Sequence, residues 1–340
     1  MAVMHVFKHF RISTMIFCAA MLALSWSGAA QAQSDAAKIV GPNECAECHK
    51  NETAVWKGTH HFATFTAMHK TDEAKSIAKK MKIKRIKADS LCLNCHFTVK
   101  TVKNKPKAIA GISCESCHSP SKDWVKIHSE FSGKKKGTES KAEAAARWAS
   151  AEKNGMIRPK ALYLLAKNCY SCHVVPQEDL VNVGGHPAGS KFELVSWSQG
   201  EVRHNLWYSD GSKNEAASPE RKRMMFIVGK AVELETALLA LRKVTKVNNY
   251  VKKMAGRLKS ARKGIAAVTA ALPDVPELAA ILKTAKGLKK ALNNEAGLTA
   301  AAAEVQKQTL SLAVNYDGSK FAAVDKLIPG PGKYKGKPAK

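Results

Sequence analysis

Aromatic residues make up only 6% of these 340 residues. That scarcity argues against a large core built on Phe, Tyr and Trp, so apolar bulk has to come from another source. Long apolar runs are also lacking: only Ile12 to Trp26, near the start, is apolar enough for a membrane. Polytopic membrane, collagen-like and low-complexity architectures are thereby excluded. The last 136 residues hold no histidine, and no cysteine follows Cys172. Acid is in short supply as well, with 28 Asp and Glu against 55 Lys and Arg and a formal net charge of +27. The length leaves room for two modest domains.

The start of the chain has basic residues (Lys8, Arg11), the apolar run, and small residues ending in Ala30-Gln31-Ala32. This order predicts a Sec-type signal peptide over residues 1–32, cleaved after Ala32, and a periplasmic or otherwise exported product. The competing reading is an uncleaved anchor, but about 15 apolar residues fall short of the roughly 20 that a spanning helix needs. Cys18 lies within this run behind the bulky Phe17, which does not suit a lipoprotein signal, and leaves with it. The mature chain then has eight cysteines, a net charge of +25 and no integral membrane span. A basic exported protein points to acidic proteins, anionic surfaces or anionic small substrates as partners, and its export argues against nucleic acid.

All eight cysteines follow one pattern: Cys45-Ala46-Glu47-Cys48-His49, Cys92-Leu93-Asn94-Cys95-His96, Cys114-Glu115-Ser116-Cys117-His118 and Cys169-Tyr170-Ser171-Cys172-His173. C-x-x-C-H is the attachment motif of c-type haem. On a helical turn, positions i, i+3 and i+4 share a face, so two thiols can form thioethers with the haem vinyl groups while the adjacent histidine reaches iron. Paired zinc sites or C-x-x-C disulfides would account for the cysteines, but not for a histidine after every second one. The expected cofactors are four covalently attached haem c groups, with His49, His96, His118 and His173 as proximal ligands.

Six further histidines remain in the mature chain: His60, His61, His69, His128, His186 and His204, all within the stretch that carries the motifs. Met68 and Met81 could serve as sixth ligands, yet the histidine supply makes bis-histidine ligation the simpler expectation, and that ligation lowers potentials relative to Met/His. His60 and His61 are adjacent, about 100° apart on a helix, and cannot face the same iron.

Trp56-Lys57-Gly58-Thr59-His60-His61, the run from Gly111 through the third motif to Ser119-Pro120, and a histidine ten residues beyond that motif resemble the tetrahaem cytochrome c-554 family of ammonia-oxidising bacteria. The resemblance covers about residues 40–210. It implies an electron-transfer role in nitrogen-compound or related respiratory metabolism, which with the basic charge makes acidic redox proteins the expected electron donor and acceptor. It also implies His61 as distal ligand of the third haem, His128 of the first and His204 of the fourth, with the second haem left open. An open second haem would admit a small-molecule ligand, and with it the alternative of an enzyme acting on nitric oxide, hydroxylamine or nitrite. His186, in Gly184-Gly185-His186-Pro187, has no counterpart in the family pattern; it could close that second site or replace His204.

The expected fold class is mainly α: a multihaem cytochrome c domain over 33–212, with short helices and loops around four haems, then a basic, coiled-coil-like helical region over 213–328 and a disordered tail over 329–340. Lys103–Lys107 and Lys134–Lys136 read as solvated linkers. Ser218-Pro219-Glu220 reads as a capped helix start. Val244, Val251, Leu258 and Ile265, with Val247, Met254, Ala261 and Val268, form two series in sevens, predicting one long helix with a four-heptad seam. Pro273 and Pro276 end it, and helices near 276–292 and 295–314 follow. From residue 215 onward there are 24 Lys and Arg against 10 Asp and Glu, consistent with either a stabilising flank or a docking or oligomerisation arm.

Overall fold

The computed structural model describes residues 35–88, 91–188, 190–288 and 292–339; the expected signal peptide, with Cys18, lies outside them. The chain is mainly helical. Its first part is a succession of short helices: α1 (Pro42–Cys48), α2 (Lys50–Lys57), α3 (His60–Ala63), α4 (Asp72–Lys80), α5 (Leu93–His96), α6 (Cys114–His118), α7 (Val125–Ser129), α8 (Lys141–Lys153), α9 (Leu162–His173), α10 (Glu178–Asn182) and α11 (Leu194–Ser198). Each C-x-x-C-H unit closes a helix, with His49 as the residue that caps α1 and the other three histidines ending α5, α6 and α9. Side-chain caps set several starts: Thr59 accepts from the Phe62 amide at α3, and Ser140 forms a capping box with Glu143 at α8.

One element was not foreseen. The basic stretch expected as a linker forms an antiparallel hairpin, β1 (Thr98–Val102) and β2 (Lys105–Ala110). Its two central residues, Lys103 and Asn104, both take positive φ (49° and 60°), the turn whose twist matches that of the strands. Val99 and Ala108 face inward on Leu93 and Phe97, so a small apolar face outweighs the lysines.

Four longer helices follow: α12 (Pro219–Leu241), α13 (Asn249–Ala271), α14 (Pro276–Gly287) and α15 (Glu295–Asn315). Ser218 accepts from the Arg221 amide and Pro219 opens α12, as the sequence suggests. The seam starts one heptad later than expected: residues 242–248 turn the chain between α12 and α13, leaving Val247 62% exposed and Val244 in the loop. Within α13, Val251, Met254, Ala261, Ile265 and Val268 are buried, while Arg257 occupies an inward position among them. A central α12 takes neighbours on several sides, α9, α13 and α15 among them, so most of its surface is apolar and buried.

The main hydrophobic core runs unbroken from Leu162 on α9 to Val324, crossing the expected boundary at residue 212. A buried ion pair crosses it too: Lys167 of α9 binds Glu235 of α12, whose carboxylate also accepts from the Tyr163 hydroxyl at 2.9 Å. The tail, expected to be disordered, is tied down by its backbone. The Lys335 amide donates to the Ser196 carbonyl, the Lys335 carbonyl accepts from the Glu201 amide, and Asn214 donates to the Ala339 carbonyl. Composition signals disorder because few side chains there can be buried, but main-chain groups need only an unpaired partner.

Candidate haem-binding sites

Helix ends place the four motif histidines, and the remaining chain brings one further histidine to each. Ring centroids lie 6.3 Å apart for His49 and His128, 6.2 Å for His96 and His186, 6.3 Å for His118 and His204, and 6.3 Å for His173 and His61. A ring nitrogen lies about 1.1 Å from its centroid and binds a metal at about 2.0–2.1 Å, so two imidazoles in line across one metal have centroids about 6.3 Å apart. Each gap is therefore the width of one metal ion.

Second hydrogen bonds orient the rings. His118 Nδ1 donates to the Ile157 carbonyl at 2.8 Å, His204 Nδ1 to Val202 at 2.7 Å, His186 Nδ1 to Pro187 at 2.8 Å and His128 Nδ1 to Val125. With Nδ1 engaged as donor, the Nε2 lone pair is left for a metal. His49 Nδ1 lies 3.6 Å from the Glu52 carboxylate. Burial pushes His96, His118 and His173 down to about 4 and also lowers His49, His61 and His128, keeping these imidazoles neutral as ligation requires.

Among the described residues no three His, Cys, Asp or Glu side chains converge as a protein-only metal site would need, and none of the eight cysteines is in a disulfide. Two donors per site, with a pair of thiols beside one of them, fit a metal that brings its own four equatorial nitrogens. The residues thus fit haem c.

The pairing differs from the expectation in three places. His61 stands opposite His173 of the fourth motif, not His118 of the third. His204 stands opposite His118, not His173. The second motif does not face open space, because His186 stands opposite His96. The reason is tertiary: α3 docks on the end of β2, where the Ile112 amide donates to the His61 carbonyl at 3.1 Å. A side chain at Gly111 would lie 2.2 Å from that same carbonyl. His128 faces His49, the partner the resemblance implied.

The thiols give the order of the sites. Cys45 lies beside Cys114, and Cys95 beside Cys172. Asn168 of α9 donates to the Cys117 carbonyl at 2.9 Å, joining the third motif to the fourth. The motifs therefore follow one another in space as first, third, fourth and second. Glu115, inside the third motif, locks the first pair together: its buried carboxylate accepts from the Val40, Gly41 and Ser121 amides and the Ser121 hydroxyl.

Other contributors carry no motif and were not legible. Phe192 stacks on His173 with centroids 4.3 Å apart, Trp207 lies 4.6 Å from His49, and Trp124 meets His128 edge-on at 5.3 Å. Arg147 of α8 donates to the His128 carbonyl at 2.6 Å while paired with Glu139. His60, an exposed ring, bonds Glu201 at 2.6 Å instead of facing a motif. Met68 packs on the small cluster of Leu93 and Phe97.

Residues 44–119, which hold the first three motifs, match the family model described as cytochrome c554 and c-prime. The chain is 32% identical over 113 residues to cytochrome c-554 of Nitrosomonas europaea, a stretch that is 29% of this chain and 48% of that protein. It thus spans about half the length of that relative. No solved structure matches. Residues 44–119 are thus similar to the cytochrome c554 and c-prime family.

Proposed function

We propose that this chain is an exported tetrahaem c-type cytochrome that passes electrons between redox partners, with every iron held by histidine on both sides. The observation that carries this reading is the set of four histidine pairs, each spaced by the width of one metal. Haem c bound there supplies a one-electron iron couple, at the lower potentials that bis-histidine ligation favours. The chain's own part would be to hold each group between the paired histidines, to bury the rings, and to keep the four motifs in an unbroken file. His186 bears directly on the choice between conductor and enzyme. Standing opposite His96, it takes the position that nitric oxide, hydroxylamine or nitrite would need, so the enzyme reading is not favoured. Among the described residues no helix is long and apolar enough to cross a membrane.

The test is a count. The purified exported protein should exceed the mass of its polypeptide by four haems and show no free thiol after unfolding. The Cys114→Ala, Cys117→Ala variant should keep three haems. Two or more reactive thiols in the unfolded wild type would overturn the tetrahaem reading. Reduction of only part of the haem by an excess of low-potential donor would overturn the conductor.

A further inference from the structure

We infer that the outward face of α13 is the docking surface for an acidic redox protein that exchanges electrons at the fourth site. This rests on the electron-transfer reading above and gives the helical region, which lies outside the family match, a role in it.

Charge is the first observation. Residues 236–273 contain nine Lys and Arg and no Asp or Glu. Folding sharpens this imbalance, because the nearby acids turn inward. Glu233 and Glu235 of α12 and Glu277 of α14 are all buried. They are taken up by Arg257 and Lys230, by Lys167 and Tyr163, and by Ser311, Asn315 and Tyr316 respectively. Lys252, Lys259 and Lys263 recur at i, i+7 and i+11 on α13, forming one exposed stripe flanked by exposed Lys253. None of the four lies within ion-pair distance of a described acid. Flanking elements add Asp179 on α10 and Asp274 past the C-terminal end of α13.

Position is the second. Arg257, one turn after Lys253, donates to the Ser190 carbonyl and lies 3.4 Å from the carbonyl of His173, the fourth motif histidine. The start of α13 is held to α10, where the Tyr250 amide donates to Asn182 at 3.0 Å. The chain runs on from there to His186. A partner seated on this face is therefore one helix width from the segment that carries the fourth motif histidine, with α13 itself between them.

Surface chemistry selects the partner. The exposed positions of α13 are Asn, Lys, Ser, Ala and Gly, with no large apolar side chain to insert into a lipid surface, since its apolar face is spent on the core. Gly256 lies on the cationic stripe with open space around it. A mid-helix glycine costs about 1 kcal/mol relative to alanine, and here no internal contact demands it, while a bare backbone lets another protein approach closely.

The test uses the holoprotein with flavodoxin hydroquinone as an acidic one-electron donor. Poly-L-glutamate serves as a redox-silent binding probe and phosphatidylglycerol vesicles as the lipid control. Lys252→Glu, Lys253→Glu, Lys259→Glu and Lys263→Glu together should cut the low-salt second-order rate roughly tenfold or more and flatten its salt dependence. Poly-L-glutamate affinity should fall in parallel. The same four changed to Gln should give an intermediate loss, guarding against a folding artefact. Lys103→Glu, Lys105→Glu and Lys107→Glu on the hairpin tip should change the rate less than twofold. Equal slowing by the two reversals, or none by the α13 set, overturns the assignment, as does vesicle binding that depends on α13 when flavodoxin kinetics do not. A wild-type protein that dithionite cannot reduce would remove the electron-transfer reading itself.

Discussion

His186 faces His96 across 6.2 Å, in a turn where neither preceding glycine can be replaced without strain. A side chain at Gly184 would lie 2.6 Å from the Leu180 carbonyl and press on Met81 and Ile77 of the α4 region, and Gly185 has a φ of +79°. The ring is aimed by its bond to the Pro187 carbonyl. A loop this constrained holds its histidine at a fixed distance from the second motif.

The first prediction follows from that pair. The wild-type protein should be wholly low-spin by EPR and inert to carbon monoxide when reduced. His186→Ala should turn one haem in four high-spin and able to bind carbon monoxide, and Gly184→Ala should do so in part. A high-spin fraction already present in the wild type would contradict the pairing.

His61→Ala should likewise create one high-spin haem. Because His61 pairs with His173, that signal should vanish when Cys169→Ala and Cys172→Ala remove the fourth haem. It should persist when Cys114→Ala and Cys117→Ala remove the third. The reverse outcome would return His61 to the third site.

Glu115→Gln should destabilise the protein by about 2–4 kcal/mol, read as a lowered midpoint in denaturant. Its carboxylate accepts four hydrogen bonds in a buried setting, and a neutral amide can accept at only one of its two positions. Val40 and Gly41 lead into the first motif, so an unchanged midpoint would mean that the two motifs are held together by other contacts.

Glu201 ties α3 to the tail. It accepts from His60 through both the backbone amide and the ring, while Gly336 packs on its side chain so closely that an added Cβ would lie 2.6 Å away. Truncation after Tyr334, or Glu201→Ala, should loosen the neighbouring His61. The expected readout is a minor high-spin population that grows on mild warming before global unfolding, and its absence in both variants would show the tail to be dispensable.

Acid should loosen α8. Hydrogen bonds from Lys134 and the Ser140 cap hold Glu143 at about 2, and Arg147 holds Glu139 below its usual range. A carboxylate whose folded pKa is depressed contributes stability above its unfolded value, near 4.5, that is lost as pH falls through the folded value. Arg147 also braces the His128 carbonyl, so the first haem should be the first to change its spectrum between about pH 4.5 and 2. Glu143→Gln should shift the onset, and an onset unmoved in that variant would place the acid response elsewhere.

The cofactor chemistry of this protein was written into its local sequence. C-x-x-C-H acts through a single helical turn, so its spacing alone specifies two thiols and a proximal histidine, and the confinement of every other histidine beyond residue 32 to the same stretch marked the pool of distal ligands. Ser218-Pro219 and the prolines after Ala271 marked helix limits by backbone chemistry that works within a few residues. Which histidine met which motif was decided only by tertiary packing. His61 lies 112 residues from His173 and His204 lies 86 from His118, and no local term in the chain distinguishes those pairings from the ones the resemblance implied. Docking of α3 on the end of β2 at Gly111, the pairing of α6 with α9, and the strained turn before His186 made the choice. Tertiary packing also cut the heptad pattern back to its members from Val251 onward, because a turn at 242–248 folds α13 back on α12 and leaves Val244 and Val247 outside the helix.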